Sequence, residues 1–483
     1  MAQAGAEERG GSRQEGHLQP GLKRRHMTMI SIGGIIGAGL FVGTGPILNQ
    51  AGPATVLTYL LTGCLLILIM RMLGEMAVAQ PSVGSFSDYS RMALGNWAGF
   101  SIGWLYWYFW AIVVGFEATV AAGIIGQYAP SIPPWLISLG LILLLTATNL
   151  YSVSSYGEFE FWFASIKVVA IILFIVLAIL FLLGLFPTNS PGFSNLYAKG
   201  GFFPHGALAM FSGVATVIFA FVGAEIVTIA AAESNEPEEG VARATHAVIY
   251  RILLFYVVSV FFVACVLPWN TPFSSQAVLK SPFTLALERM GIPGAGTVMN
   301  LVVLTAVLSV LNSSLYTTSR MLFALTRHND APGFFTNTTR RGVPIWAILA
   351  GTSFAYISVV IYYFFPEEIF TWLINASGAI ALFVYLLIAT SELVMRRRIV
   401  RENPEALRLR MWFYPWLTYL SMVGILAVLI AMFFISSLRP LIIASLISLA
   451  VILVAYVLRV AFGPTQRDPH ETIREQETAS QTE

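Results

Sequence analysis

Long apolar stretches separated by short polar segments run along almost the whole chain. A helix needs about 20 mainly apolar residues to cross a bilayer, and on that measure the pattern predicts twelve spans. Numbered one to twelve, the predicted spans are 27–50, 53–77, 97–128, 134–151, 159–185, 207–232, 244–268, 297–326, 344–365, 368–393, 412–436 and 440–460. The fold class predicted is therefore an all-α polytopic membrane protein.

The composition indicates which kinds of partner the chain can bind. Of the 483 residues, 57% are hydrophobic and only 11% are charged, whereas a soluble protein carries about 25% charged residues. A water-facing surface over most of the chain is therefore excluded. The net charge of +2 is too small to indicate nucleic-acid binding, so the expected partners are the lipid bilayer and a small molecule.

The basic residues predict the orientation. With the N-terminus inside, 22 of the 27 Lys and Arg fall on the tails, inner loops and inner span ends, four fall outside and one lies within a span. This bias places both termini in the cytoplasm, and the polar first 22 residues before Lys23 indicate an uncleaved tail. The predicted organisation is a cytoplasmic tail 1–26, a first repeat 27–185, an extracytoplasmic loop 186–206, a second repeat 207–393, a cytoplasmic loop 394–411, two further spans in 412–460 and a cytoplasmic tail 461–483.

Glycines interrupt spans one and six. Span one contains GGIIGAGLF and span six contains FAFVGAE, with Gly37 and Gly223 separated by 186 residues, or about five spans. Glycine-interrupted segments heading two such halves indicate an inverted repeat with a binding site at the membrane midplane. The alternative is that these glycines allow close helix packing.

Broken spans would offer backbone groups to a zwitterion. A break around Gly37–Gly39 presents N–H groups to a carboxylate, and a break around Ala220–Gly223 presents carbonyls to an ammonium. A zwitterionic or ω-amino acid fits between the two.

Three ionisable residues lie in mid-span, where a charge costs at least about 2.5 to 3.5 kcal/mol. Lys167 is near the middle of span five and either alternates between charged and neutral states, coupling a proton to transport, or reaches the inner headgroups. Glu225 gates the substrate path, orients the unwound segment through hydrogen bonds, or caps the second half-helix. Glu117 pairs either with a substrate amine or with a neighbouring hydroxyl.

Span eight is rich in small polar side chains. These oxygen atoms suit a sodium ion, a hydrogen-bond network across helices, or a bond to Lys167, and the sequence leaves the choice open. The residues concerned are Ser309, Asn312, Ser313, Ser314 and Thr317. The sequence holds no nucleophile and base pair, phosphate loop or metal cluster, so a transporter is predicted, not an enzyme.

Four segments carry a resemblance to a known family. At GGIIGAGLF, GEFEFWFASIKVVAI, FAFVGAEIVTIAAAES and LNSSLYTTSRMLFAL the chain resembles the amino acid transporter family of the amino acid, polyamine and organocation superfamily. The likeness extends from Gly21 to Leu420. Within that family the chain is most similar to bacterial γ-aminobutyrate permeases, through IGWLYWYFW and SGAIALFVYL.

The resemblance implies a LeuT-type fold of two five-span inverted repeats plus two extra helices, with helices one and six broken. It implies proton coupling through Lys167, which matches a lysine of proton-coupled relatives, and no other cofactor. Ala38 stands where many members have Thr or Ser, so chain-length preference can differ. The implied substrate residues are Ile35, Gly37, Ala38 and Gly39 for the carboxylate, and Phe219, Ala220 and Val222, with Gly223 in the same break, for the amine.

The expected function is import of γ-aminobutyrate or a similar small amino acid by proton symport and alternating access, across the plasma membrane of a bacterium. A proton-coupled permease for α-amino acids is the nearest alternative. An interaction subunit would need an extracellular cysteine, but Cys64 and Cys265 lie in spans, so no disulfide-linked heavy chain is expected. A channel would need an open polar pore.

Overall fold

The computed structural model describes residues 29, 36–82, 85–151, 153–226, 228, 237–275, 278–279, 281–339, 343–366, 368–377 and 379–462. Helices dominate this part of the chain. They are α1 (Ala38–Phe41), α2 (Thr44–Ala51), α3 (Thr55–Ala79), α4 (Phe86–Leu94), α5 (Asn96–Gly126), α6 (Pro134–Tyr151), α7 (Val153–Leu182), α8 (Ala209–Ser212), α9 (Val214–Phe221), α10 (Pro237–Arg251), α11 (Ser259–Val266), α12 (Pro282–Arg289), α13 (Ala295–Arg327), α14 (Ile345–Phe364), α15 (Ile369–Ser377), α16 (Ile380–Glu402), α17 (Trp416–Phe434) and α18 (Arg439–Phe462). A π-helical segment, Ile252–Val258, joins α10 to α11, and two-residue strands β1 (Ser274–Ser275) and β2 (Val278–Leu279) form a small hairpin.

The helices are long and apolar enough for a membrane. Nine segments of the described chain meet that length and hydropathy, the first of which, Ala38–Ala79, holds parts of predicted spans one and two. Large apolar side chains such as Leu144, Val169 and Val451 are exposed, which a bilayer favours and water does not. The prediction of an all-α, multi-pass membrane protein is confirmed.

Predicted spans and helices coincide in some segments and differ at the ends of others. The predicted span 134–151 coincides with α6, but α7 begins at Val153 and not at 159, and the predicted span 368–393 is divided between α15 and α16. α16 also continues to Glu402 because the charged residues after the apolar run are good helix formers, and it ends just before Pro404, which disfavours helix in the residue that precedes it.

The described backbone is unwound at both glycine-interrupted places, which are named here the first and the second break. At the first break, Ile36–Gly37, Gly37 is extended and α1 starts at Ala38. At the second break, Val222–Glu225, α9 ends and Gly223 takes a positive φ of 108°, which only glycine adopts without strain. The part of the chain before Ile36, including Ile35, lies outside the described residues.

The two breaks touch each other at a glycine. A Cβ placed on Gly39 would lie 2.6 Å from the Cα of Ala220, closer than side chains approach backbone. The pair lies deep in the protein, beside the mainly buried α5, whereas α17 and α18 are mainly exposed. The fold therefore brings the unwound backbone of both halves to one buried place.

Candidate functional site

A small cavity lies between the two breaks. Its volume is about 20 Å³, and by this measure one water needs roughly 10–15 Å³. Aromatic side chains of α5, Phe109 and Trp110, form one wall. Six residues predicted from the sequence line it: Gly37, Gly39, Glu117, Phe219, Ala220 and Val222. Ala38 and Gly223 adjoin them in the chain.

Glu117 lies against the first break. Its carboxylate accepts a hydrogen bond from the backbone N–H of Ala38, and its Oε1 would be 3.1 Å from a Cβ on Gly37. The side chain is buried, and Oε2 has no hydrogen-bond partner among the described residues. The carboxylate of Glu117 thus binds the N–H group of Ala38, one of the groups that the resemblance assigns to the substrate carboxylate.

On the other side of the cavity, a tyrosine engages the second break. The hydroxyl of Tyr256, from the π-helical segment, donates to the carbonyl of Ala220 at 3.2 Å. A carbonyl oxygen has two lone pairs, so Ala220 retains capacity for a second donor such as an ammonium.

Glu225 ties three parts of the protein together. Its Oε1 accepts from the hydroxyl of Tyr106 at 3.0 Å and from the N–H of Gly223 at 3.1 Å, and its Oε2 accepts from the hydroxyl of Tyr385 at 3.3 Å. These donors come from α5, from the second break itself and from α16. In this geometry Glu225 orients the unwound segment through hydrogen bonds, and these three bonds do not include the downstream N–H groups that a helix cap would bind.

Lys167 reaches the first break from α7. Its Nζ donates to the carbonyl of Ile36 at 3.0 Å and to Oγ of Ser309 at 2.7 Å, and the side chain is fully buried. The ammonium therefore does not extend to the headgroups, which was the alternative left open by the sequence.

Glu160 was not identified from the sequence. It is fully buried, accepts from Ser309 at 2.7 and 2.8 Å and from Ser313 at 3.2 Å, and its Oε1 lies 3.8 Å from Nζ of Lys167. It was overlooked because it falls at the edge of the predicted span. The available signal was its spacing of seven residues from Lys167, which is two helical turns and so the same face.

The polar side chains of predicted span eight make different hydrogen bonds. Ser309 and Ser313 bind Glu160, while Oδ1 of Asn312 accepts from Asn149 at 2.7 Å. Ser314 and Thr317 donate to backbone carbonyls of their own helix. Hydrogen bonds within and across helices therefore account for this cluster, and the amine of Lys167 occupies the position beside Ser309.

A second polar cluster lies outside the predicted spans, around α4. Oδ1 of Asp88 is 2.8 Å from Nε2 of His328, Ser82 donates to Asp88, and Arg91 pairs with Asp330. Burial alone would raise the pKa of Asp88, but the charge and hydrogen bond of His328, the Ser82 bond and the nearby Arg91 together lower it to about 2. This cluster joins α4 to the end of α13, and the sequence analysis did not predict it.

Comparison with known proteins identifies the family. The family model described as amino acid permease matches residues 26–468. The chain is 52% identical to the gamma-aminobutyric acid permease of Bacillus subtilis (strain 168), over 91% of this chain and 93% of that one. It is 50% identical to the gamma-aminobutyric acid permease of Escherichia coli (strain K12), over 88% and 91%.

A relative named for a different substrate is also similar. The aromatic amino acid transport protein AroP of Corynebacterium glutamicum is 42% identical over 86% of this chain and 89% of that protein. These proteins are transporters and not enzymes, which confirms that part of the sequence prediction. The extent of the match and the level of identity show that the chain belongs to the amino acid permease family.

Proposed function

We propose that this chain is a secondary active transporter that imports γ-aminobutyrate or a similar small amino acid together with protons, by alternating access. The observation that carries the coupling is the 3.0 Å bond from Nζ of Lys167 to the carbonyl of Ile36. It links a group that can gain or lose a proton to the backbone proposed to bind the substrate. The orientation follows from the distribution of basic residues, with both termini in the cytoplasm.

Substrate recognition uses the two breaks. The substrate carboxylate takes the N–H groups of residues 35–39, displacing Glu117 from Ala38, and the ammonium binds the carbonyls of Phe219, Ala220 and Val222. The cavity of about 20 Å³ holds about one water, so the breaks must separate before an amino acid enters. That separation, alternately toward each side of the membrane, is the transport step.

Proton loss at Lys167 weakens the first break in this mechanism. A hydrogen bond from a charged donor is about twice as strong as one from a neutral donor. When Lys167 becomes neutral, the carbonyl of Ile36 is held less firmly, and the first break is free to move and release substrate inward.

A second candidate is a permease for α-amino acids with the same fold. It is favoured by the 42% identity to a protein named as an aromatic amino acid transporter. The higher identities, 52% and 50%, are to proteins named as γ-aminobutyrate permeases, and they favour the first substrate.

The test is uptake of labelled γ-aminobutyrate into proteoliposomes, with an inward proton gradient and no sodium, in competition with unlabelled α-amino acids. We expect accumulation that a protonophore abolishes, that resists the competitors, and that Lys167→Ala eliminates. Absence of γ-aminobutyrate uptake by folded protein would move the substrate to the α-amino acids. Uptake only with sodium would overturn the role of Lys167.

A further inference from the structure

We propose that Ser309 and Glu160 form with Lys167 a relay that carries the coupled proton away from the first break, toward the start of α7. The inference rests on the proposed proton coupling and adds a route for the proton. It assigns to Glu160 a function that no part of the sequence reasoning gave it.

The hydrogen-bond directions define the relay. A serine hydroxyl has one proton to donate and can also accept. Ser309 donates its proton to the carboxylate of Glu160, at 2.7 and 2.8 Å from the two oxygens. Toward Lys167 it is therefore the acceptor, at 2.7 Å from Nζ. Lys167, Ser309 and Glu160 thus form a continuous donor–acceptor chain.

One concerted shift moves a proton along this chain without moving any residue. A proton passes from Nζ of Lys167 to Oγ of Ser309 while the hydroxyl proton of Ser309 passes to an oxygen of Glu160. The products are a neutral amine, an unchanged serine and a carboxylic acid, so charge and protons balance. Because Glu160 is fully buried, it gives its proton to water only when the start of α7 opens to the solvent.

The direction of travel follows from the helix. Glu160 and Lys167 are seven residues apart, which at about 1.5 Å per residue places the backbone of Glu160 roughly 10 Å nearer the start of α7, while its Oε1 lies 3.8 Å from Nζ of Lys167. In the predicted orientation this end faces the cytoplasm, where an importer must release the proton. The relay therefore begins at the first break and ends closer to the inner surface.

Among the residues that the structure describes, the charged neighbours of the relay come from two helices. On α7 they are Lys167 and Glu160 themselves, and on α5 Glu117 acts on Lys167 through space. The α13 helix contributes only the hydroxyls of Ser309 and Ser313 to Glu160. Glu117 keeps a bond to Ala38, so it acts on the substrate side and not along this path.

A structural salt bridge is the competing explanation, since breaking a buried pair by removing one partner is destabilising. The two explanations predict different losses of net uptake and of substrate exchange. A missing counter-ion lowers every activity of the protein together. A missing proton acceptor lowers proton-driven net uptake more than it lowers substrate exchange, which moves no net proton.

The experiment measures proton-driven net uptake and substrate exchange, each with labelled γ-aminobutyrate, in proteoliposomes of the full chain across a range of pH. The variants are Glu160→Gln, Ser309→Ala, Glu160→Asp as the conservative replacement, and Glu368→Gln as the control, whose side chain is exposed. Size-exclusion profiles establish that each variant is folded. If Glu160→Gln does not fold, Ser309→Ala and Glu160→Asp test the relay instead.

We expect the ratio of proton-driven uptake to exchange to fall at least tenfold in Glu160→Gln and Ser309→Ala, with a flattened pH profile of net uptake. Glu160→Asp restores part of the ratio, and Glu368→Gln stays within twofold of wild type. Equal losses of both activities, or an unchanged ratio and pH profile, would overturn the relay while leaving coupling at Lys167 in place. A wild-type protein that exchanges substrate but ignores the proton gradient would reject the coupling itself, and the relay with it.

Discussion

The contact between the two breaks predicts a severe effect of a single methyl group. In Gly39→Ala the new Cβ would lie 2.6 Å from the Cα and 2.8 Å from the Cβ of Ala220, where ordinary contact begins at 3.4 Å. The closest distance would be about 0.8 Å shorter than ordinary contact, and the atom approached is a backbone atom, which cannot move away by a change of rotamer. Overpacking of this kind costs about 1–3 kcal/mol, which corresponds to a shift of roughly 5- to 150-fold in favour of separated breaks.

The assay is γ-aminobutyrate uptake in proteoliposomes at matched amounts of folded protein. We expect uptake by Gly39→Ala to fall at least fivefold because the breaks no longer close on each other. The control is Gly123→Ala on α5, where a Cβ would meet nothing within 4 Å and the gain in helix propensity is similar. Equal uptake by the two variants would refute the close approach as a requirement for transport.

Two further predictions concern carboxylates. Glu225→Gln removes the charge that accepts three hydrogen bonds, so we expect a loss of about 1–3 kcal/mol of stability, read as a lower melting temperature in detergent. Tyr385→Phe should cost less, and a Glu225→Gln variant that melts like wild type would contradict the role of Glu225 in holding the unwound segment. The pKa of Asp88 is lowered from 3.8 to about 2, so its contribution to stability is present above about pH 4 and is lost as the pH falls through 2. Thermal melts between pH 4 and 2 should therefore decline in wild type and change less in Asp88→Asn, and parallel declines would rule out this origin.

The sequence was sufficient for features with a local cause. Hydropathy alone predicted the all-α, multi-pass membrane class, because apolar runs of bilayer length have few other uses. The breaks were predicted because Gly37 and Gly223 sit in glycine-interrupted runs, and the burial of Lys167 was predicted because it lies far from either end of its apolar run.

The missing parts of the site depend on contacts between distant segments. Glu160 sits at the edge of an apolar run, so hydropathy assigned it to the boundary, and only its approach to Ser309 of another helix shows that it is internal. The contact of Gly39 with Ala220 likewise depends on how two half-helices meet. The ends of α7 and α16 were misplaced because a helix continues past the bilayer wherever propensity allows.

The narrow space between the breaks also links the affinity for substrate to the rate of transport. If only a fraction of molecules is open to substrate, the measured Kd rises by the inverse of that fraction, so an open population of about 1% weakens binding roughly a hundredfold. Variants that hold the breaks apart remove this penalty and bind the amino acid more tightly, yet they lose the closure that carries it across. In this protein, the variant with the highest affinity is therefore expected to be a poor transporter.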